Sequence, residues 1–356
     1  MDWLDALALT SVAMLPRAHG GPWGDGWIRR ETQDFQVVEG LLEPPAGEGA
    51  QLWLQVEKTH ANTEWVARQL AVAAGLPLAE IGYAGLKDRH AQVRQWFSLP
   101  WSATRATALH GLTGEGFEVI LAVRHTVKLR RGMLAGNQFE IRVRDAAAVP
   151  PDALVAIREQ GIPNYFGEQR FGHASGNLAG GIRLLNGEEP PARHLRSLYL
   201  SALRAQIFNE LLAERVSTGT WNRALPGDVL EDASGRAFRV QTLTAPLEAR
   251  LARGECQITG PLWGRPQGLA AYGEAGAVEA AVAARFAPWI TGLAARNLGM
   301  IRRPLCVRPQ AMTWNARPGP QGLDWRLIFG LPAGAYATAL LRECWVARDS
   351  LPQNHS

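Results

Sequence analysis

GYAGLKDRHAQVRQW occupies residues 82–96 and places an acidic side chain, Asp88, directly after a turn punctuated by glycines. Asp88 is flanked by Lys87 and Arg89. Because positive neighbours favour the ionised carboxylate, this side chain is a candidate base or nucleophile at neutral pH. A surface turn with ordinary ion pairs explains the same triplet, so these residues alone leave a chemical and a structural role open.

Two further segments combine residue types that can contact a nucleobase. LAGNQF (134–139) places Asn137 at a loop-to-strand junction, where its amide offers the donor and acceptor that match a uracil edge, or satisfies turn backbone. GIPNYFGEQRFG (161–172) can form a stacking surface for nucleotides, or a tightly turned hinge with its aromatics in the core. Phe35 and Tyr336 can likewise stack on a base or fill a core.

Basic side chains are clustered, although the formal net charge is only +4. Residues 124–131 carry four Lys or Arg side chains and no acid, and residues 296–308 carry four arginines and no acid. Such stripes predict contact with a phosphate backbone. A solvated face balanced by acids from elsewhere in the chain is the alternative.

The composition is that of a soluble globular protein, with 47% hydrophobic and 20% charged residues among 356. This length predicts one large or two medium domains, and no apolar run is long enough to span a bilayer. The first residues lack the charge pattern of a signal peptide, so we expect a cytoplasmic location. Cys256, Cys306 and Cys344 are too scattered for a disulfide framework, and the motifs of metal sites are missing.

The hydrophobic pattern predicts a mixed α/β chain. Strands are expected at 35–39, 52–56, 117–123, 139–143 and 325–329, and helices at about 195–214, from about 278 to a stop or kink at Pro288, and at about 335–346. The start is rich in strands, the part after about residue 152 is rich in helices, and a strand then returns. This order favours an inserted domain over two consecutive domains.

Local signals define two of these elements more closely. A helix is expected to begin at Asn62 or Thr63 and to end at Gly75, and its inward face is expected to carry Val66, Leu70 and Ala73. In the strand at 139–143, alternation directs Phe139, Ile141 and Val143 inward and Arg142 outward.

The motifs together are more specific than any of them alone. GYAGLKDRHAQVRQW, the GNQF that follows KLRRG, and GIPNYFGEQRFG resemble the signature stretches of the TruD family of pseudouridine synthases, in the order and approximate spacing of that family. The resemblance extends from Asp34 to Glu343 and so covers nearly the whole chain.

The resemblance implies an α/β (α+β) fold, a pseudouridine-synthase catalytic domain built on a mainly antiparallel mixed sheet. An inserted α/β TRUD domain interrupts it, and the molecule is V-shaped with a basic cleft. Here the catalytic domain is expected to comprise residues 1–163 and 310–356, and the inserted domain residues 164–309.

It also implies the reaction, the conversion of uridine to pseudouridine at position 13 of tRNA by a monomer without metal or other cofactor. The target base is flipped out of the folded RNA. Asp88 matches the catalytic aspartate, and it would attack the ribose C1′ or abstract the C2′ proton in a glycal route.

Five further residues match substrate-binding positions. Phe35 matches an aromatic residue that packs against the target base, and Asn137 matches a substrate contact. Tyr336 stands where the family carries Phe, and Arg29 stands where relatives have Lys. Lys87, beside the nucleophile, would steer phosphate or keep Asp88 ionised.

Two rival functions come from other classes. A tRNA-binding or folding factor would use the same surface without catalysis, although it would gain little from an acid in a phosphate-facing cleft. A glycosidase would cleave the same bond without rejoining it and would release free uracil. A methyltransferase is disfavoured because the chain lacks a convincing glycine-rich turn for its cofactor.

Overall fold

The computed structural model describes residues 11–188 and 192–349. Its strands are β1 (Asp25–Ile28), β2 (Phe35–Gly40), β3 (Gln51–Lys58), β4 (Gly82–Tyr83), β5 (Gln92–Pro100), β6 (Thr113–Gly114), β7 (Phe117–His125), β8 (Gly136–Ala146), β9 (Ile162–Pro163), β10 (Val229–Asp232), β11 (Ala237–Arg239), β12 (Cys256–Leu262), β13 (Ile301–Pro304), β14 (Cys306–Val307), β15 (Gln310–Pro318), β16 (Leu323–Pro332) and β17 (Val346–Asp349). Its helices are α1 (Thr63–Ala74), α2 (Ala103–Leu109), α3 (Pro151–Gln160), α4 (Gly176–Leu185), α5 (Arg193–Ser217), α6 (Ala245–Ala252), α7 (Gly273–Arg285), α8 (Ala287–Ala295) and α9 (Ala337–Cys344).

A large mixed sheet dominates the described residues. Its strands follow the order β15-β16-β8-β2-β5-β3-β7-β6, with β1 and β17 joined at β8 and β4 joined at β5. The pairs β2–β5 and β1–β17 are parallel, whereas the other pairs of this sheet are antiparallel. The predicted fold class, mixed α/β with a mainly antiparallel mixed sheet, is therefore confirmed. A second sheet, β11-β10-β12-β13, forms between residues 229 and 304.

Local capping explains helix α1. Asn62 Oδ1 accepts a hydrogen bond from the Trp65 amide at 2.7 Å, and Gly75 ends the helix in the left-handed conformation. Both ends were predicted. The inward face was predicted less well, because Ala73 is exposed and Ala74 is buried in its place.

Strand β8 shows the expected alternation. Phe139, Ile141 and Val143 are buried and Arg142 is exposed. The strand lies between β2 and β16, and its register aligns Asn137 with Glu39 on one side and with Leu331 on the other. This register brings the start of β8 next to the end of β2.

Two helix predictions need correction. The alanine-rich helix α7 ends at Arg285, and Pro288 lies in the first turn of the next helix, where its missing N–H costs nothing. The final helix stops at Cys344, and Val346 begins a strand that pairs with β1.

Three buried clusters form the main cores. The small-sheet core contains Leu15 and residues between 165 and 305, whereas the large-sheet core contains residues between 28 and 162 and between 307 and 345. A third cluster lies where α1 packs on the strands around β3. Tyr336 packs against both the small-sheet core and the large-sheet core.

The aromatics of GIPNYFGEQRFG belong to the core. Tyr165, Phe166 and Phe171 are buried, and all three are members of the small-sheet core. Of the two interpretations of this segment, the buried one is therefore correct.

Helix α5 is the longest helix described, with 25 residues. Its buried residues, among them Leu203, Ile207 and Leu211, lie on the side that packs into the small-sheet core. None of the described helices has the length and apolarity required to cross a membrane.

Candidate active site

Asp88 lies in the loop that joins β4 to β5. Gly82 allows this loop to pass close to a neighbouring segment, because a Cβ there would come within 2.4 Å of the Leu129 carbonyl oxygen. The Arg29 guanidinium donates from Nη2 to Asp88 Oδ2 at 2.8 Å, and the His90 amide donates to Asp88 Oδ1 at 2.9 Å. The side chain remains 33% exposed, so the carboxylate is oriented and still accessible to a substrate.

Arg29 is the principal partner of that carboxylate. It follows β1 with φ of 54°, a conformation that costs free energy in a residue with a side chain, and its side chain is buried. The second arm of the guanidinium donates from Nη1 to Asp349 Oδ2 at 2.7 Å. Because β17 runs parallel to β1 with Ile28 opposite Asp349, the sheet itself brings this second carboxylate to Arg29. Arg29 thus bridges two carboxylates.

The Phe35 ring packs against the Arg29 guanidinium. The Arg29 Cζ atom lies 4.3 Å from the centre of the Phe35 ring, within the range of a cation–π contact. Phe139 packs edge-on against the same ring at 6.2 Å. Phe35 is 5% exposed, and its ring packs against the guanidinium that holds Asp88.

Lys87 and Asn137 form a separate pair beside this arrangement. Lys87 Nζ donates to Asn137 Oδ1 at 2.7 Å and lies 3.0 Å from Glu39 Oε1. The lysine side chain is 9% exposed and the glutamate side chain is fully buried. Glu39 therefore holds the Lys87 ammonium toward the interior. Lys87 donates to the Asn137 amide oxygen, and the Asn137 NH₂ group can donate a hydrogen bond to a substrate.

Burial raises the pKa of Glu39, and the charge of Lys87 acts against that rise. The Trp96 amide donates to Glu39 Oε2 at 2.9 Å, which also favours the ionised form. A buried carboxylate with these partners is expected to fix Lys87 and, through it, Asn137.

We expect Glu39→Gln to lower the free energy of unfolding by about 3 kcal/mol, because it leaves the Lys87 ammonium buried without its counter-ion. Glu57→Gln is the matched control, since its ion pair with Arg94 lies on the surface, and it should cost less than about 1 kcal/mol. Urea unfolding of both variants measures the difference. Equal losses would mean that the buried pair contributes no more than the exposed one.

Lys58 is fully buried beneath the Asp88 loop. Its Nζ donates to the backbone carbonyl oxygens of Asp88 at 3.0 Å and of Ala61 at 2.7 Å. Burial lowers the pKa of Lys58 to about 8, and the nearby Asp88 charge opposes this shift. The chain contains only three lysines, and two of them, Lys58 and Lys87, lie buried beside Asp88. An arginine could not lose its proton in such a place.

The pKa of Lys58 predicts a pH-dependent stability. Between pH 8 and pH 10.5, its ordinary value, the folded state holds a neutral amine while the unfolded chain still binds the proton. We therefore expect the native protein to gain up to about 3 kcal/mol relative to Lys58→Met as pH rises through this range. Unfolding of both proteins at several pH values checks this, and Lys128→Met, which changes a partly exposed lysine, should show no such trend.

Tyr336 contacts a different set of side chains. It precedes α9, and its hydroxyl oxygen accepts hydrogen bonds from Arg170 Nη2 at 2.9 Å and from Arg170 Nε at 3.2 Å. Its ring lies 6.1 Å from the Phe166 ring. Arg29 therefore contacts both Asp88 and Phe35, whereas Tyr336 lies at the contact between the two sheet cores.

Arginines of the second basic stretch, residues 296–308, form hydrogen bonds and ion pairs with other parts of the protein. Arg296 donates to the Leu184 carbonyl, Arg302 pairs with Glu279, and Arg308 donates to the Ala252 carbonyl. Each of these arginines therefore has an internal oxygen as a partner, which is an acid for Arg302 and a backbone carbonyl for the other two.

The first basic stretch is divided between interior and surface. Arg124 lies 4.0 Å from the Trp101 ring centre, and His125 is buried in a stack on Trp53. Arg130 and Arg131 are exposed. These two side chains keep the cationic surface that was predicted for this stretch.

Sequence reasoning missed Glu39, Lys58 and Asp349. Two of them carried a readable signal. Glu39 and Lys58 occupy the inward positions of alternating strands, where burying a charge costs desolvation free energy. Asp349 carried none, because its position depends on a parallel strand pair formed with the start of the chain.

Comparisons with known proteins agree with this architecture. The family described as tRNA pseudouridine synthase D (TruD) matches residues 18–188 and 189–344. A relative from Aeromonas salmonicida, named tRNA pseudouridine synthase D, is 41% identical over 342 residues, which are 95% of this chain and 96% of that protein. A relative of the same name from Stutzerimonas stutzeri is 43% identical over 332 residues, 92% of this chain and 95% of that protein.

A crystal structure shows the same fold. The protein described as putative tRNA pseudouridine synthase D from Methanosarcina mazei superimposes with a TM-score of 0.69 at 21% identity, over 94% of this chain and 95% of that one. The matched length and the identity to the curated relatives place the chain in the TruD family, tRNA pseudouridine synthase D.

Proposed function

We propose that this protein isomerises uridine to pseudouridine in tRNA, at position 13, with Asp88 as the catalytic carboxylate. The observation that carries the proposal is the geometry of Asp88. Arg29 and the His90 amide each hold one of its oxygens, and the side chain remains open to solvent. Its loop is also part of the motif that resembles the family's signature.

The reaction needs no net addition of atoms. The C1′–N1 bond of the uridine breaks, the uracil turns, and a C1′–C5 bond forms, while the C5 proton leaves and N1 gains one. Asp88 either attacks C1′ or removes the C2′ proton. In both routes the Arg29 guanidinium orients the carboxylate. No step requires a metal ion or an organic cofactor.

Three side chains are proposed to hold the base. The Phe35 ring would pack against the uracil, and the Asn137 NH₂ group would donate to a uracil carbonyl while Lys87 fixes the amide's orientation. Tyr336 would stack on the base or on its neighbour. Its hydroxyl, which a phenylalanine lacks, is already satisfied by Arg170.

The tRNA must give up stacking of the target nucleotide, at a cost of a few kcal/mol. Contacts between the RNA phosphates and exposed cations near the site would offset this cost of unstacking. A cavity of ≈ 560 Å³, lined by Glu64, Gly82, Lys128 and Arg131 among others, lies at the strand that precedes the Asp88 loop, and its two cations would contact the RNA backbone. Recognition would then depend on tRNA shape and phosphates more than on base sequence.

The domain division remains part of the proposal. We propose a catalytic domain of residues 1–163 and 310–356, an inserted domain of residues 164–309, and a basic cleft between the arms of a V. The change from one core to the other between residues 162 and 165, and back between 305 and 307, supports these boundaries, whereas Leu15 packs into the small-sheet core. We further propose that the protein acts as a monomer in the cytoplasm, where its tRNA substrate is found.

The test is to incubate the purified protein with unmodified tRNA, to map pseudouridine along the RNA, and to assay free uracil in parallel. Pseudouridine at one D-stem uridine without free uracil supports the proposal. Free uracil without pseudouridine would identify a glycosidase instead. Binding of tRNA without either product would identify a binding factor.

A further inference from the structure

Arg170 and Arg303 lie against the same aromatic ring. The Cζ atom of Arg303 is 4.1 Å, and that of Arg170 5.4 Å, from the centre of the buried Phe166 ring. Both guanidinium groups are partly buried. Two positive charges are therefore held close together beside an apolar group.

In the part of the chain that the structure describes, neither charge is paired with a carboxylate. Arg170 donates to the hydroxyls of Tyr336 and Ser201, and Arg303 donates to the backbone oxygens of Asn164 and Gly334 and to the Asn164 side chain. Across residues 11–188 and 192–349, neither arginine forms an ion pair with an acid.

Two other arginines with little exposure are paired with acids, Arg215 with Asp228 at 2.8 Å and Arg302 with Glu279 at 2.5 Å. Arg296 and Arg308 have backbone carbonyl partners, as Arg303 does. What distinguishes Arg170 and Arg303 is that two such cations lie against one ring.

This arrangement costs free energy in the absence of an anion. Burial, together with the charge of Arg170, lowers the pKa of Arg303 to about 10, while Tyr336 opposes the shift. Arg303 nevertheless stays protonated at neutral pH. A bound anion would relieve the mutual repulsion of the two guanidinium groups and replace lost solvation.

The surroundings supply further donors. Gly334 and Tyr336 belong to the turn that begins α9, whose first amides point toward its N-terminal end. Thr338 Oγ1 is buried there without a hydrogen-bond partner among the described residues. A Cβ on Gly167 would lie 3.0 Å from that oxygen and 3.6 Å from the Tyr336 ring, so the glycine keeps this space open.

We propose that Arg170 and Arg303 bind one backbone phosphate of the RNA, close to the target uridine whose base reaches Tyr336. The inference rests on the proposed function. The described hydrogen bonds of Arg303 come from Nε and Nη2, which leaves Nη1 to donate to a phosphate oxygen. Guanidinium groups are well suited to this role, because their planar donors match phosphate oxygens. The Tyr336 hydroxyl then acts as the support that orients Arg170.

The experiment is a phosphate-neutralisation scan. A set of unmodified tRNAs, each with a single methylphosphonate near the target uridine, is titrated with the full chain carrying Asp88→Asn, so that no turnover interferes. The same set is titrated with a second protein that also carries Arg170→Gln. We expect one methylphosphonate to weaken binding about tenfold in the first protein and less than about twofold in the second.

Two further variants make the result specific. Arg253→Gln removes the same charge from an arginine that pairs with Glu255 just after the end of α6, and should leave the tenfold loss intact. With Arg170→Lys, which keeps the charge, the same methylphosphonate should weaken binding by an amount between those of the two other proteins. This variant replaces Arg170→Gln if the glutamine variant does not fold. The proposal is overturned if every methylphosphonate weakens binding equally with and without Arg170.

A titration with inorganic phosphate distinguishes a phosphate of the RNA backbone from free phosphate as the bound anion. If phosphate raises the Tm of the native protein but not of Arg170→Gln, and no methylphosphonate shows coupling, then the site binds free phosphate and the RNA assignment is wrong. These binding results are independent of turnover. Failure of pseudouridine formation would therefore count against the proposed function and not against the phosphate site.

Discussion

Asp88→Asn is expected to lower the rate of pseudouridine formation by at least about 1000-fold, because the amide can neither attack C1′ nor accept the C2′ proton. The affinity for tRNA should change by less than about threefold, since one small isosteric side chain contributes little to a large RNA interface. Single-turnover rates with excess protein measure the first quantity. Filter binding measures the second.

The side chain's partners make this variant informative. Asparagine fits the same space, and its single amide oxygen can still accept a hydrogen bond from either Arg29 or the His90 amide, whereas its NH₂ group cannot accept the other one. Asp152→Asn, which removes an exposed acid in the first turn of α3, is the charge control and should keep native activity. Retention of more than about a tenth of the native rate by Asp88→Asn would assign the chemistry to another group.

Arg29→Gln is expected to reduce the single-turnover rate by about 100-fold to 1000-fold. The change leaves the carboxylates of Asp88 and Asp349 without the cation that holds both of them. Two like charges then repel each other, and Asp88 loses its fixed orientation. Arg29→Lys keeps a cation and should lose less activity, although a single ammonium cannot bridge two carboxylates as a guanidinium does.

Arg30→Gln is the natural control for this prediction. Arg30 is the next residue along the chain, carries the same charge and pairs with Asp145 away from the Asp88 loop. It should retain activity within about threefold of the native protein. If the two glutamine variants lose activity equally, the effect comes from general destabilisation near β1 and not from the contact with Asp88.

The elements predicted well from sequence are those whose signals are local. Strand β8 alternates cleanly between apolar and polar residues, and α1 has a capping side chain at Asn62 and a left-handed glycine at Gly75. Each signal lies within a few residues of the structure it specifies. Nothing outside the segment is needed to interpret it.

The elements predicted poorly depend on distant partners. The helix expected to run to Val346 stops at Cys344, because the next residues pair with β1 from the start of the chain. Arg302 gave the pattern of a phosphate-binding stripe, and its acid, Glu279, lies on another element. A sequence window contains neither partner.

The candidate site shows the same division. Asp88 and Arg29 were identified by resemblance to a family, and the structure places their side chains in contact. Glu39 and Lys58 could have been identified without any resemblance. A charged residue in the inward phase of an apolar strand requires a buried partner, and both lie beside the Asp88 loop.

The bridge that Arg29 makes also links the site to the order of synthesis. Arg29 and Asp349 are separated by 320 residues, and they meet only when β17 pairs with β1. A ribosome delivers Arg29 early, yet the guanidinium acquires its second carboxylate only after Asp349 has emerged. Such long-range closure is slow compared with local folding. On the proposed mechanism, a growing chain would lack the second carboxylate that holds Arg29, and Asp88 would be fully oriented only after β17 has paired with β1.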